Sequence, residues 1–262
     1  MTTNPFILET ERLHKTFGGL MAISDLSFKV REGEIKSVIG PNGAGKTTLF
    51  NLITGVHPVS SGAIILRGKP INGLKSHVIA GLGVSRTFQT VELFPQMTVL
   101  ENVMVGCHPR SRAGLFASGF RLPRMRKEEK WIRDQSFEKL ELGGLLGRAD
   151  LPAGSLPLGE QKTLEVLRAL STGPRLILLD EPAAGLNEVE TQKMAGLVYS
   201  IRESGVTILL VEHDMSLVMK VSDEIVVINY GEKIAEGPPA QIQNNPRVIE
   251  AYLGGESLLC LN

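Results

Sequence analysis

The run Gly40-Pro41-Asn42-Gly43-Ala44-Gly45-Lys46-Thr47 restricts the fold of this chain more than any other feature. It fits G-x-x-x-x-G-K-[ST], follows the apolar stretch Ile35 to Ile39, and is followed by a helix-compatible segment. A loop of this kind joins a strand to the start of a helix. Its successive backbone N–H groups curl round a phosphate, which only small residues permit, and the positive end of the helix faces the same anion. The spacing makes Lys46 a ligand of the β- and γ-phosphates and Thr47 a ligand of Mg²⁺. A glycine-rich turn ahead of an ordinary helix does not account for the full motif in this strand–loop–helix setting.

The remaining composition narrows the class. The 262 residues suffice for one large domain or a core with an inserted subdomain. Lys+Arg and Asp+Glu both total 28, so the formal net charge is zero and no basic footprint for nucleic acid appears. Cys107 and Cys260 form neither a metal spacing nor a disulfide framework, which suits a reducing cytosol. No apolar run approaches the roughly 20 residues that span a bilayer, and the N-terminus lacks the apolar core of a signal peptide. Work at a membrane would require another chain to supply the span.

Short apolar strands are predicted at both ends: Ile7 to Leu13, Leu26 to Val30 and Ile35 to Ile39, then Leu176 to Leu179, Val206 to Val211 and Ile225 to Ile228. Gly62 to Leu66 followed by Arg67-Gly68-Lys69-Pro70 reads as a strand and tight turn. Tyr230-Gly231 reads as the turn of a second hairpin before Lys233 to Ala235. From about Leu100 to Leu170 the pattern is helical, with Trp131, Ile132, Phe137 and Leu140 interleaved among charges in Lys127 to Leu142. The arginine-rich stretch His108 to Arg126 reads as an irregular connection, either solvated or a docking surface. The tail beyond Gly254 is expected to fray.

Arg175 to Leu179 is a buried-type strand that ends in Asp180 and Glu181. Side chains alternate along a strand, so the two carboxylates are expected to serve different purposes, one in the shell of Mg²⁺ and one toward an attacking water.

Along nearly its whole length the chain resembles the ATP-binding subunit of an ATP-binding-cassette (ABC) transporter. The resemblance implies an α/β fold: a P-loop NTPase (ABC ATPase) core with an antiparallel β subdomain over residues 1–89 and 171–262, and an inserted helical subdomain over residues 90–170. It also implies roles. Phe17 falls where the family stacks an aromatic on adenine, and Asn42, Gly43, Ala44, Gly45, Lys46, Thr47 and Thr48 fall in its ATP-binding loop. Gln89, in Arg86-Thr87-Phe88-Gln89, matches the glutamine that touches Mg²⁺ and water and joins the core to the helical part. Asp180 matches the metal carboxylate and Glu181 the general base. Ala184 to Asn187 match the loop that crosses the dimer interface, and His213 the switch histidine at the γ-phosphate.

Leu156, Pro157, Gly159 and Glu160 fall on the family signature, usually Leu-Ser-Gly-Gly-Gln, which binds ATP held by the opposite subunit. Here the serine is replaced. Proline offers neither hydroxyl nor N–H, although the first turn of a helix tolerates it. The expectation is a weakened composite site where this signature is used, with the site built on Lys46 and Glu181 depending on the partner's signature.

Phe17 to Ala22, Leu93 to Val103 and Ala183 to Asn187 further resemble the LivG-type ATPases of branched-chain amino-acid importers. That implies ATP and Mg²⁺ as cofactors, a second ABC ATPase as dimer partner, two integral-membrane permeases, and indirectly a periplasmic or lipid-anchored substrate-binding protein. The implied location is the cytoplasmic face of the inner membrane. Three other readings stay open: the ATPase of a lipid or polysaccharide exporter, a soluble ABC ATPase of iron–sulfur assembly, and a nucleotide-binding regulatory module without turnover.

Overall fold

The computed structural model describes residues 5–107 and 123–257. Its frame is a six-stranded sheet built from β3 (Ile35–Ile39), β6 (Val84–Arg86), β7 (Leu176–Asp180), β8 (Thr207–Val211), β9 (Glu224–Asn229) and β10 (Glu232–Gly237), in the order β10-β9-β3-β8-β7-β6. All neighbours in it run parallel except the β9–β10 hairpin. Every residue of β3, β7 and β8 is buried, as a parallel sheet covered on both faces requires.

The two faces are read directly from the alternation. Leu176, Leu178, Leu209, Val211, Val226 and Ile228 point into a core shared with α1 (Lys46–Ile53) and with a four-stranded antiparallel sheet. That second sheet comprises β1 (Phe6–Phe17), β2 (Leu20–Arg31), β4 (Ser61–Leu66) and β5 (Lys69–Pro70) in the order β2-β1-β4-β5. Ile177, Leu179, Ile208 and Leu210 point the other way. They pack with α3 (Val99–Cys107), α5 (Leu158–Ser171) and α6 (Glu188–Glu203). α2 (Ser76–Gly81) precedes β6, and α4 (Pro123–Leu142) buries Ile132 and Leu140 while Trp131 stays exposed.

Several expectations need correction. β1 and β2 run far beyond Ile7 to Leu13 and Leu26 to Val30. Register shifts between Thr10 and Leu13, with Arg12 at φ 40°, carry β1 through polar residues that break the alternation. β6 is too short to show a period of its own. The helix α9 (Pro246–Ser257) continues past Gly254 instead of fraying there. It is held by Val248 and Tyr252 packed with Ile39, Val227 and Ile242, the last on α8 (Pro239–Gln243). The basic stretch from His108 through Leu122, and Cys260, lie outside the described residues.

The topology sets the site. The carboxyl ends of β3, β6, β7 and β8 lead respectively into Gly40, Thr87, Glu181 and Glu212. Neighbouring parallel strands thus deliver four loops to one edge of the sheet, where open α/β sheets bind ligands.

Candidate functional site

The phosphate loop is shaped by close approach. A Cβ on Gly40 would lie 2.0 Å from the Ile228 carbonyl oxygen, and one on Gly45, at φ 106°, would lie 2.6 Å from that of Ala22. Neither position admits a side chain. The turn between β9 and β10 braces the same loop, with Gly231 donating its N–H to Ala44 O at 3.0 Å and accepting from Ser24 N at 2.9 Å. Asn42, Gly43 and Thr47 are exposed at the mouth, Thr48 is half-buried and Ala44 is buried.

Lys46 is folded back into this loop. Its Nζ donates to Gly40 O at 2.7 Å and to Pro41 O at 3.0 Å. Burial holds its pKa below the ordinary lysine value, while the charges of Glu181 and Asp180 act in the opposite direction. A cation held by two neutral carbonyls is incompletely compensated.

The carboxylates diverge, though not through strand pleating. Glu181 lies past the end of β7 in the left-handed region at φ 49°, which turns its side chain away from that of Asp180. Asp180 is buried and its Oδ2 accepts from Arg86 Nη2 at 2.7 Å. Burial raises its pKa, and the Arg86 guanidinium pulls it back down. Glu181 Oε2 accepts from Gln89 Nε2 at 3.0 Å and lies 3.6 Å from His213 Nδ1. The structure therefore brings Gln89, Glu181 and His213 into one cluster, with Asp180 and Lys46 beside it.

Sequence reasoning missed the residues that hold this cluster. Glu212 is fully buried. Its Oε1 accepts from Ala183 N at 2.7 Å, and its Oε2 from His213 N at 2.9 Å and Asp214 N at 3.2 Å. One side chain thereby fixes the loops after β7 and β8. Burial raises its pKa and the three N–H groups offset that. Lys162, on α5, donates to Glu181 O at 2.9 Å, and Glu165, one turn on, accepts from Phe88 N at 3.2 Å. The helix of the signature is thus tied to both Glu181 and the segment that carries Gln89. An apolar strand running straight into a charge, as at Val211-Glu212, was the available signal.

The signature residues contact other neighbours. Leu156 is buried, and exposed Pro157 is the N-cap of α5 without a side-chain cap. Glu160 reaches Arg148 at 3.4 Å. Gly159 packs on Glu190, where a Cβ would lie 2.7 Å from Oε1. Asn187 and Glu190 form a reciprocal capping box at the start of α6, so the Ala184 to Asn187 loop and the signature meet at one carboxylate. Phe17 is 41% exposed. It meets His57 edge-on at 5.3 Å, with Lys15 Nζ 4.6 Å from its ring. A cleft of about 580 Å³ between the two sheets, walled by Phe6, Lys29, Lys36 and Glu224, includes none of these residues. Its buried Lys36 is paired with Glu224 and Glu236 at 2.8 Å each, a structural role.

Among the described residues no helix is long and apolar enough to cross a membrane. The family profile described as ABC transporter matches residues 23–184, and that described as Branched-chain amino acid ATP-binding cassette transporter matches residues 232–257. The chain is 47% identical over 249 residues to the high-affinity branched-chain amino acid transport ATP-binding protein BraF of Pseudomonas aeruginosa, covering 95% of this chain and 98% of that protein. It is 45% identical to LivG of Escherichia coli, with the same coverage. Among solved structures, the ADP conformation of MJ1267, an ATP-binding cassette of an ABC transporter, superposes with a TM-score of 0.84 at 34% identity, covering 96% of this chain and 100% of that one. A nucleotide-free cassette from an ABC transporter gives 0.80 at 32%, covering 94% and 98%. A P-loop edge with this constellation, a family profile that matches more than half of the chain, and near-full-length identity lead to one conclusion: the chain belongs to the ABC transporter family, as an ATP-binding cassette.

Proposed function

We propose that this chain binds and hydrolyses ATP with Mg²⁺ and powers uptake of branched-chain amino acids through partner permeases. The observation that carries the reading is the cluster of Glu181, Gln89 and His213 at the same edge of the sheet as the loop of Lys46, in a chain whose residues 232–257 match the branched-chain amino acid cassette family.

Backbone N–H groups from Gly43 to Thr48 receive the β-phosphate, and Lys46 exchanges its two carbonyl partners for phosphate oxygens, a stronger charge-assisted bond. The donors offered to a cation are a hydroxyl (Thr47), an amide (Gln89) and a carboxylate (Asp180). That donor set suits Mg²⁺, which prefers oxygen and keeps phosphate and water ligands. When bound, Mg²⁺ offsets negative charge developing on the phosphates. Glu181 accepts the proton of the attacking water, Gln89 orients the Glu181 carboxylate, and His213 contacts the γ-phosphate.

A second ABC ATPase subunit completes each site by presenting its signature. Leu156, Pro157, Gly159 and Glu160 do the same for the partner, and Phe17 stacks on adenine. Two integral-membrane permeases hold the pair at the cytoplasmic face of the membrane, fed by a substrate-binding protein on the far side. Closing and reopening of the ATPase pair then drives alternating access in the permeases.

The test is to recover the tagged Glu181→Gln chain from membranes with ATP present and to identify its companions by mass spectrometry. Two polytopic proteins together with a distinct ATPase are the expected result. Recovery without any membrane protein sinks the transport reading in favour of a soluble ABC ATPase.

A further inference from the structure

Arg86, which the reaction as described does not use, stands at the centre of a buried network. Its Nη2 holds Asp180 Oδ2 at 2.7 Å and its Nη1 holds Asn51 Oδ1, on α1, at 2.7 Å. The guanidinium carbon lies 5.4 Å from the Phe50 ring and 5.3 Å from the Phe88 ring. The side chain is 8% exposed, against 2% for Asp180.

This arrangement is expensive as a source of stability. A buried ion pair seldom outperforms apolar side chains of the same volume, and here Arg86 Nε is also buried without a hydrogen-bond partner. What the network does supply is geometry. The planar fork fixes one carboxylate oxygen of Asp180 and leaves the other unclaimed by Arg86. It also joins the end of β7 to the helix that follows the phosphate loop, and it does so from β6, three residues before Gln89. A lysine at position 86 would be a point charge and could not span both acceptors in a fixed plane.

We propose that Arg86 is a positioning residue for the divalent cation: it clamps Asp180 in a single orientation relative to α1, so that the unclamped oxygen faces the cation's shell. This rests on the assignment of Asp180 as the metal carboxylate. Without the clamp, Asp180 rotates in its pocket and the contribution of Mg²⁺ to nucleotide affinity falls.

The experiment measures binding of a fluorescent ADP analogue to the isolated subunit with excess Mg²⁺ and with excess EDTA. The ratio of the two affinities isolates the cation's contribution from that of the phosphate loop, and no turnover is needed. In Arg86→Gln the ratio is expected to fall by about tenfold or more, the scale of one charge-assisted hydrogen bond, and Arg86→Lys is expected to recover only part of it. A ratio equal to that of the unmodified chain overturns the proposal, and so does a higher one, which would make Arg86 a competitor of the cation. A ratio near one in the unmodified chain instead overturns the metal-site assignment itself. If Arg86→Gln fails to fold, Asn51→Ala decides: it removes the 2.7 Å bond to α1 and leaves Arg86 Nη1 only the longer contact to Thr54 Oγ1 at 3.4 Å, with the Arg86–Asp180 pair intact. It is expected to lower the ratio by roughly threefold, and an unchanged ratio there also overturns the proposal.

Discussion

The Gln89 side-chain amide donates to Glu181 Oε2 at 3.0 Å, so the proposed general base is oriented by the segment that enters the helical part of the chain. That segment is itself held by Glu165 of α5 through Phe88 N. A rotation of α5 therefore moves both residues. Gln89→Ala is expected to lower the maximal hydrolysis rate of the assembled complex by about tenfold while changing ATP affinity far less, because positioning acts on the transition state. Glu181→Gln is expected to cost about 10²- to 10⁴-fold, the usual weight of a general base. Steady-state phosphate release beside equilibrium ATP binding separates the two. A Gln89→Ala variant with weakened binding and an unchanged rate would contradict the orienting role.

Lys46 gives a prediction in which function and stability part company. In the free chain its ammonium is buried against carbonyl oxygens, and burial depresses its pKa below the ordinary 10.5. A depressed folded pKa means the unfolded chain binds the proton more tightly. Its contribution to stability is then fully present only above 10.5 and is lost as pH falls through the folded value. Lys46→Met is accordingly expected to abolish measurable nucleotide binding without lowering the melting temperature of the free subunit at pH 7. Between the folded pKa and 10.5 the unmodified chain should gain stability relative to the variant as pH rises. Denaturant melts of both chains at pH 7 and pH 9.5 check the sign, and a relative loss on raising the pH would refute it.

Glu212 is the clearest structural dependence in the site. Three backbone N–H groups, from Ala183, His213 and Asp214, end on its carboxylate. Glu212→Gln turns one acceptor into a donor facing an N–H and is expected to cost about 1–3 kcal/mol. The pKa of Glu212 is raised by burial from 4.5, so its stabilising contribution is full below that value and declines as pH rises through the folded pKa. The deficit of the variant should therefore be larger at pH 5 than at pH 8. Urea unfolding at the two pH values measures it, and a deficit that grows with pH would be the wrong sign.

The phosphate loop, β3, β7 and β8 were legible because each combines an unbroken apolar run with a punctuating motif, and local chemistry alone dictates both. Arg86 and Glu212 were not legible as site residues. Their roles come from partners distant in sequence, Asp180 and Ala183, which only the parallel register of the sheet brings near. The left-handed turn at Glu181 was likewise hidden, since no glycine or asparagine marks it. The length of β1 was missed for another reason, as bulges erase the period-two signal that a strand otherwise shows.

Pro157 is where local rule and expected chemistry collide. As the N-cap of α5 it accepts no N–H with its side chain. Pro157→Ser supplies a hydroxyl that caps the helix, worth about 1 kcal/mol, and the melting temperature of the isolated subunit should rise. In the assembled complex the same hydroxyl would face ATP held by the partner. If that contact forms, one charge-assisted hydrogen bond is regained, on the order of 1.5–3 kcal/mol, and turnover at the site using this signature should increase about tenfold or more. Confining hydrolysis to that site, by changing Glu181 to Gln in this chain alone, makes the effect readable. A higher melting temperature with unaltered turnover would mean that the signature of this chain works through its helix end and backbone, and that the missing serine never limited the reaction.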